Sequence, residues 1–256
     1  MAYIKKKTVA GNSIRIEKYY SSRYGSKGKC TRSQNFEKTP EKMAIRNARY
    51  ACIKADDVFN ANFKEGDLML TFTFSPNKRP SNPNEVLKIW NNYIRRVRYA
   101  YKKAGVVFKW QKGIETPEKN PHIHAAFTYI DLALLPKWEY GSVKIERFDD
   151  RDHHTYGGYM RELTHIKAGN AGKYNQAKST QFYSHSRNCI IPQPEITVIT
   201  SDHWADEPKA PKGYYVVKES VQNWEDEVNG YKHQSYVLCK IPDKNKKPCS
   251  RHRRKE

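Results

Sequence analysis

The sequence predicts an α+β fold, in which a central antiparallel sheet has helices packed on one face. Three observations predict it: a run of strict two-residue alternation at 67–75, helix-start signals on either side of that run, and two further strand-like runs joined by a turn-rich loop. The order strand, helix, hairpin, strand, helix is typical of this class. The 256 residues suffice for one good-sized domain with appendages, or for two small domains.

Two helices are predicted from their start signals. Thr39 can cap a helix that has Pro40 at its first helical position and continues to about Phe63. Asn82 can cap a second helix, with Glu85 three residues further on. The apolar residues at helical spacing in this second helix are Leu87, Trp90, Ile94, Val97 and Tyr101.

The strands are predicted from alternation. In residues 67–75 the alternation places Leu68, Leu70, Phe72 and Phe74 on one face, and Thr71 and Thr73 on the other. Residues 106–115 and 122–129 are predicted as two strands joined by the six-residue loop TPEKNP. A short strand at 141–145 and a helix around 156–166 complete the domain. Beyond residue 200 the pattern is weaker and indicates short strands at 214–217 and 236–238.

Composition divides the chain into three regions. Residues 1–38 have little apolar periodicity and are predicted to be a basic N-terminal arm, residues 39–200 the main domain, and residues 201–256 a C-terminal extension with a basic tail. The arm mixes cations with aromatic residues, a combination that binds single strands by phosphate pairing and base stacking. These residues are Arg15, Lys18, Tyr19, Tyr20, Arg23, Tyr24, Lys27 and Lys29.

The charge balance favours a polyanionic partner. Lys and Arg number 47 against 27 Asp and Glu, which gives a net charge of +20 and a pI near 9.6. Such a surplus makes nucleic acid the leading partner. No apolar run of membrane-spanning length and no signal peptide is visible, so a cytoplasmic location without membrane contact is expected. The five scattered cysteines are expected to be reduced and unligated.

The string His122-Ile123-His124 is the leading candidate for a functional site. On a strand the two imidazoles project to the same side, a spacing that suits two ligands of one metal ion. A simple register across the six-residue loop places Glu115 opposite His122 and Gly113 opposite His124. The same register pairs Ile114 with Ile123 and Trp110 with Phe127 on the core face.

This arrangement predicts a divalent metal site formed by Glu115, His122 and His124. Two histidines and one carboxylate with open positions suit Mn²⁺ or Mg²⁺ acting as a Lewis acid on a phosphate, with zinc as the alternative ion. The competing interpretation is that the two histidines are simply solvated on an exposed strand.

The chain resembles the HUH endonucleases. The string PHIHAAF is similar to their His-hydrophobic-His motif, and DLMLTFTF resembles their first motif. Over residues 36–195 the ordered set of motifs is similar to the replication-associated proteins of small bacterial plasmids, phages and integrated elements. The resemblance implies that residues 39–200 form a ferredoxin-like or RRM-like nuclease domain. It also implies a divalent metal and a tyrosine that attacks DNA.

Tyr159 is the first candidate for that nucleophile, because Leu163 and its other apolar neighbours can anchor a helix and position the hydroxyl. Tyr174 is the alternative, with Lys173 and Lys178 nearby, and Tyr156 is a weaker third. The family's tyrosine is commonly followed three residues later by lysine, whereas Glu162 stands at that distance from Tyr159.

The resemblance implies a rolling-circle replication initiator that nicks single-stranded DNA at an origin through a covalent 5′-phosphotyrosine. The candidate DNA-binding residues are Arg95, Arg96, Arg98, Lys102 and Arg187. A relaxase or single-tyrosine transposase would use the same chemistry, and a non-catalytic nucleic-acid-binding protein is the alternative of another class. Because the sequence has no Walker motif, a host helicase is expected to unwind the DNA, and a host polymerase to extend it.

Overall fold

The computed structural model describes residues 2–21, 24–25, 40–115, 121–148, 183–225 and 230–241. The chain divides into two compact units. The central unit is built on Ala44–Cys189, and the terminal unit combines Met1–Met43 with Ile190–Lys246. Each unit contains one antiparallel sheet, so the α+β class predicted from the sequence is confirmed.

The described residues contain eleven strands and two α-helices. The strands are β1 (Ala2–Ala10), β2 (Ser13–Ser21), β3 (Leu68–Thr73), β4 (Trp110–Glu115), β5 (His122–Phe127), β6 (Val143–Arg147), β7 (Tyr183–His185), β8 (Glu195–Ile199), β9 (Tyr214–Val216), β10 (Gln222–Glu225) and β11 (Lys232–Lys240). The helices are α1 (Pro40–Asn62) and α2 (Pro83–Lys103). Neither helix is long and apolar enough to cross a membrane, as far as the described residues go.

The central sheet has the strand order β6-β3-β5-β4-β7, with β5 in the middle. Four of its strands correspond to predicted strands, although β4 begins later than expected and β5 ends earlier. The edge strand β7 was not predicted. The helix predicted around 156–166 lies outside the described residues.

The helix α2 covers one face of the central sheet. The predicted cap is confirmed, because the Asn82 side chain accepts a hydrogen bond from the Glu85 backbone N–H at 3.0 Å. The ring of Trp90 packs edge-on against Phe72 of β3, with ring centres 5.7 Å apart. The predicted apolar faces of β3 and α2 meet in this core, whose buried members include Leu68, Leu70, Phe72, Phe74, Trp90, Ile94, Val97 and Tyr101.

The helix α1 packs against the other face of the central sheet. The cluster there contains Ala55, Phe59 and Phe63 of α1 with Met69 and Ala126 of the sheet. In the strands, Met69 and Ala126 alternate with residues of the α2 core, which places them on the opposite face. The Gln111 side chain strengthens this contact by donating a hydrogen bond to the Ala55 carbonyl oxygen at 2.9 Å.

The terminal sheet joins strands from both ends of the chain. Its strand order is β10-β11-β2-β1-β8, and β9 also pairs with β11. In its core Ile16 of β2 lies opposite Tyr236 of β11. Residues 2–21 form two strands where the composition predicted a basic arm over residues 1–38. The strand β2 pairs with β11 of the C-terminal extension, and β1 pairs with β2 and with β8, which lies within the range predicted for the main domain. The strands predicted at 214–217 and 236–238 are confirmed as β9 and part of β11.

Aromatic rings line up across one end of the terminal sheet. The rings of Trp224 and His233 lie 5.2 Å apart, and those of His233 and Tyr19 lie 6.1 Å apart, with planes parallel to within 7°. On the other face Tyr20 stacks on Tyr231 at 3.9 Å. Two of the tyrosines assigned to the arm, Tyr19 and Tyr20, therefore pack against rings from the C-terminal part of the chain.

Gly141 approaches β3 so closely that a side chain would not fit. A Cβ atom at this position would lie 2.2 Å from the Thr73 carbonyl oxygen and 2.8 Å from the Ser75 nitrogen. We therefore expect Gly141→Ala to destabilise the protein by about 1–3 kcal/mol, because β3 must shift. Urea unfolding measures this loss. The control is Gly105→Asn, at an open position with φ +68°, where asparagine tolerates the left-handed backbone and the expected loss is below about 1 kcal/mol. An unchanged midpoint for Gly141→Ala would contradict this close approach.

Lys112 of β4 is a buried base, with a side chain whose nitrogen lies 5.9 Å from the centre of the Trp90 ring. Burial lowers the pKa of Lys112 from 10.5 to about 7. Because the unfolded chain holds this proton more tightly, the folded state loses stability as the pH falls from 10.5 towards 7.

We expect Lys112→Met to raise the free energy of unfolding at pH 7 by on the order of 2 kcal/mol, because it removes a buried charge. The gain should shrink as the pH rises through 10.5, above which both states hold a neutral lysine. Denaturant titrations at several pH values test this, with the exposed Lys88→Met as control. A gain independent of pH would show that packing, and not charge, is responsible.

Candidate functional site

His122 and His124 project from β5 on the face of the sheet away from α2. Their neighbours Ile123, Ala125 and Phe127 belong to the α2 core, so alternation directs the two imidazoles to the other side. The register predicted for the hairpin is confirmed. Its pairs are Glu115 with His122, Gly113 with His124, Ile114 with Ile123 and Trp110 with Phe127.

The strand β3 borders the histidines on the side opposite β4. Thr71 pairs with His124, and its hydroxyl lies 3.2 Å from the His124 Nδ1 atom, within hydrogen-bond distance. Thr73 pairs with His122, but its hydroxyl bonds to Ser142, at 3.1 Å from the carbonyl oxygen and 2.6 Å from the hydroxyl oxygen. The two threonines are therefore equivalent in register but different in contact, and of the two only Thr71 bonds to a histidine ring and helps to orient it.

The two imidazoles form a compact pair of donors. Their ring centres are 6.3 Å apart, their planes are parallel to within 18°, and both side chains are half-buried. Gly113, opposite His124, contributes no side chain to the space beside them. When the Nδ1–H of His124 donates to Thr71, its Nε2 carries the lone pair that a metal ion takes. This donor set fits a divalent cation.

The third predicted ligand is only partly placed. The backbone of Glu115 lies opposite His122, but its side chain is outside the described part of the chain. Among the described residues, no group of three His, Cys, Asp or Glu side chains is arranged to hold a metal ion. The structure thus brings two of the three predicted ligands together, and the ligand role of Glu115 stays a prediction.

The predicted nucleophiles Tyr159 and Tyr174, and the weaker candidate Tyr156, lie outside the described residues. Tyr183 of β7, which sequence reasoning missed, pairs with Gly113 in the same row as His124. Burial raises the pKa of the Tyr183 phenol, and its hydroxyl has no hydrogen-bond partner among the described residues. Because this hydroxyl is buried and a substrate cannot reach it, Tyr183 is not a substitute for the predicted tyrosines.

A groove of about 1030 Å³ opens beside β7 in the central unit. On one side it is lined by Asn91, Arg98 and Lys102 of α2, and on the other by the turn 186–188 that follows β7. Two hydrogen bonds attach this turn to β4 and to the segment before it. The Ser186 N–H donates to the Trp110 carbonyl oxygen at 2.8 Å, and the Asn188 side chain donates to the Phe108 carbonyl oxygen at 3.0 Å. We call this feature the β7 groove.

Three of the five predicted DNA-binding residues line the β7 groove: Arg98, Lys102 and Arg187. The other two do not line the groove. Arg95 hydrogen-bonds to Asn92, and Arg96 forms an ion pair with Glu139 at 2.6 Å. The structure therefore separates one predicted set into a groove cluster and two cations with local partners. Sequence spacing alone could not show this, since Arg187 is far from α2 along the chain.

Comparison of the chain with protein-family models, with curated proteins and with solved structures finds no match. What the protein does must therefore be inferred from its own residues. Two surfaces of the central unit carry that inference: the face of β5 that holds His122 and His124, and the β7 groove.

Proposed function

We propose that the protein is a metal-dependent, site-specific single-strand DNA endonuclease and ligase of the HUH type that initiates rolling-circle replication. The observation that carries the proposal is the sheet register, which sets His122 and His124 on one face of β5, with Gly113 and Thr71 on either side of His124. The two strings that carry the family resemblance, DLMLTFTF and PHIHAAF, contain the neighbouring strands β3 and β5. Their adjacency supports the idea that both motifs serve one site.

His122, His124 and Glu115 would hold the divalent ion, Mn²⁺ or Mg²⁺, with zinc as the alternative. When bound, such an ion acts as a Lewis acid that draws charge from the scissile phosphate. Thr71 keeps the His124 ring in a fixed orientation through its hydrogen bond. Gly113 leaves room for the ion and the phosphate beside that ring.

The proposed nucleophile is Tyr159, with Tyr174 as the alternative. Its phenolic oxygen attacks the phosphorus, the bond from phosphorus to the 3′ oxygen breaks, and the phenolic proton passes to water while the leaving 3′ oxygen takes up a proton. The resulting 5′-phosphotyrosine preserves the energy of the phosphodiester, so the strand can be rejoined without ATP. The free 3′-OH primes a host polymerase, and a host helicase unwinds the template.

Two alternatives are kept. A relaxase or a single-tyrosine transposase would use the same residues on another DNA substrate. A non-catalytic nucleic-acid-binding protein is favoured by the net charge of +20 and by the β7 groove, and it would have no metal requirement.

The central test is covalent capture of DNA. We expect the full chain, mixed with single-stranded origin DNA from its own replicon and Mn²⁺, to form a protein–DNA adduct that survives a denaturing gel, because the phosphotyrosine bond is covalent. The adduct should disappear in EDTA and in His122→Ala and His124→Ala. The control His203→Ala removes an exposed histidine of the terminal unit and should leave the adduct yield unchanged.

The outcomes separate the alternatives. If no divalent metal supports an adduct while DNA binding persists, the protein is a binding protein and not a nuclease. An adduct that survives in Tyr159→Phe but is lost in Tyr174→Phe would move the nucleophile to Tyr174.

The hydrogen bond between Thr71 and His124 supplies a second test. We expect Thr71→Val to weaken Mn²⁺ binding by about 10–100-fold, because it removes the group that orients His124. The affinity can be measured by calorimetry, with thermal unfolding as a check that the fold is kept. Thr73→Val is the matched control, since the Thr73 hydroxyl bonds to Ser142 instead of a histidine. Equal losses in both variants would argue that Thr71 supports the strand and not the metal ligand.

A further inference from the structure

The β7 groove is separate from the histidine pair. None of its lining residues is His122, His124, Thr71 or Gly113, and β4 lies between β5 and β7 in the sheet. The nicking chemistry therefore gives the groove no role, and its residues need an explanation of their own.

The charges of the β7 groove are of one sign. Arg98, Lys102 and Arg187 are exposed, and none of them forms an ion pair with another described residue. No Asp or Glu is among the described residues that line the groove. Cations gathered from two separate segments, with no acidic side chain beside them, create a positive potential that favours an anionic ligand.

The remaining lining groups suit the bases of that ligand. Two aromatic residues, Phe108 and Trp110, line the groove, and both are half-buried. Asn91 and Asn188 add amide donors and acceptors. Cations beside aromatic rings are the combination with which proteins bind single strands, by phosphate pairing together with base stacking.

The size of the β7 groove favours a single strand over a duplex. A volume of about 1030 Å³ is at the upper end for a small-molecule pocket and can receive a few nucleotides of one strand. The paired bases of a duplex are stacked on each other and would leave the aromatic rings of the groove without a partner.

We propose that the β7 groove is a second DNA site, which holds a few nucleotides of single-stranded DNA through Arg98, Lys102 and Arg187 at a distance from the nicking centre. The inference goes beyond the proposed function, because this binding needs neither the metal nor the tyrosine. A strand held there stays attached to the protein while its scissile end reacts elsewhere.

The test is the affinity of the full chain for a fluorescent 20-nucleotide oligo-dT, measured by anisotropy in EDTA at 0.1 M salt. We expect Lys102→Gln/Arg187→Gln to weaken binding by about 10- to 30-fold and to reduce the slope of log affinity against log salt by about 1.4, since each phosphate contact contributes about 0.7. The matched control is Lys103→Gln/Arg79→Gln, which removes the same charges from exposed positions outside the groove. It should change the affinity by less than about threefold.

Three results would overturn the proposal. Equal weakening by the two double variants would mean that general charge, and not the groove, binds the strand. An unchanged affinity of the groove variant would place the binding elsewhere. Equal affinity of the wild-type protein for a duplex of the same length would remove the single-strand assignment, for which we expect a preference of about tenfold. Because the assay contains no metal, failure of the nicking proposal would leave this result intact.

Discussion

The antiparallel pairing of β5 with β3 and β4 is the constraint on which the rest of the central unit depends. In β5 the residues alternate between the two faces, so Ile123 and Phe127 lie in the aromatic core while His122 and His124 lie outside it. A slip of one residue would exchange the faces and push the imidazoles against Phe72 and Trp90. Burial of the apolar residues therefore also determines which face the histidines occupy, and the contact with Thr71 then orients the His124 ring.

The two helices support that sheet unequally. The helix α2 contributes the larger core, with Trp90, Val97 and Tyr101 fully buried, and makes one face rigid. The helix α1 packs near Ala126, two residues beyond His124, and the histidines remain half-buried. A half-buried position strengthens electrostatic interactions relative to open water and leaves part of each histidine accessible.

Local contacts decide which of the many positive side chains are available to a ligand. The count of lysines and arginines treats Arg96 and Arg98 alike, yet Arg96 pairs with Glu139 while Arg98 lines the β7 groove. In the same way Thr71 and Thr73 look equivalent in an alternating strand, but only Thr71 bonds to a histidine. Residues of one type on one element thus acquire different roles from their neighbours in space.

Local features could be predicted from the sequence because their causes are local. The short hairpin loop determines which residues of β4 and β5 are opposite, so the row from Gly113 to His124 follows from residue numbers alone. The Asn82 cap and the apolar stripe of α2 likewise depend on residues within a few turns.

What the tertiary structure decided depends on residues far apart in the chain. Only folding shows that Ile16 lies opposite Tyr236, so that a lysine-rich N-terminal segment becomes the middle of a sheet. The β7 groove likewise exists only because a short edge strand brings Arg187 beside Lys102. The alternation of a strand does not identify its partner, since each strand alternates in the same way whatever strand it pairs with. The sequence by itself therefore determined which residues lie opposite His122 and His124 in the hairpin, and the tertiary structure decided which cations share a surface.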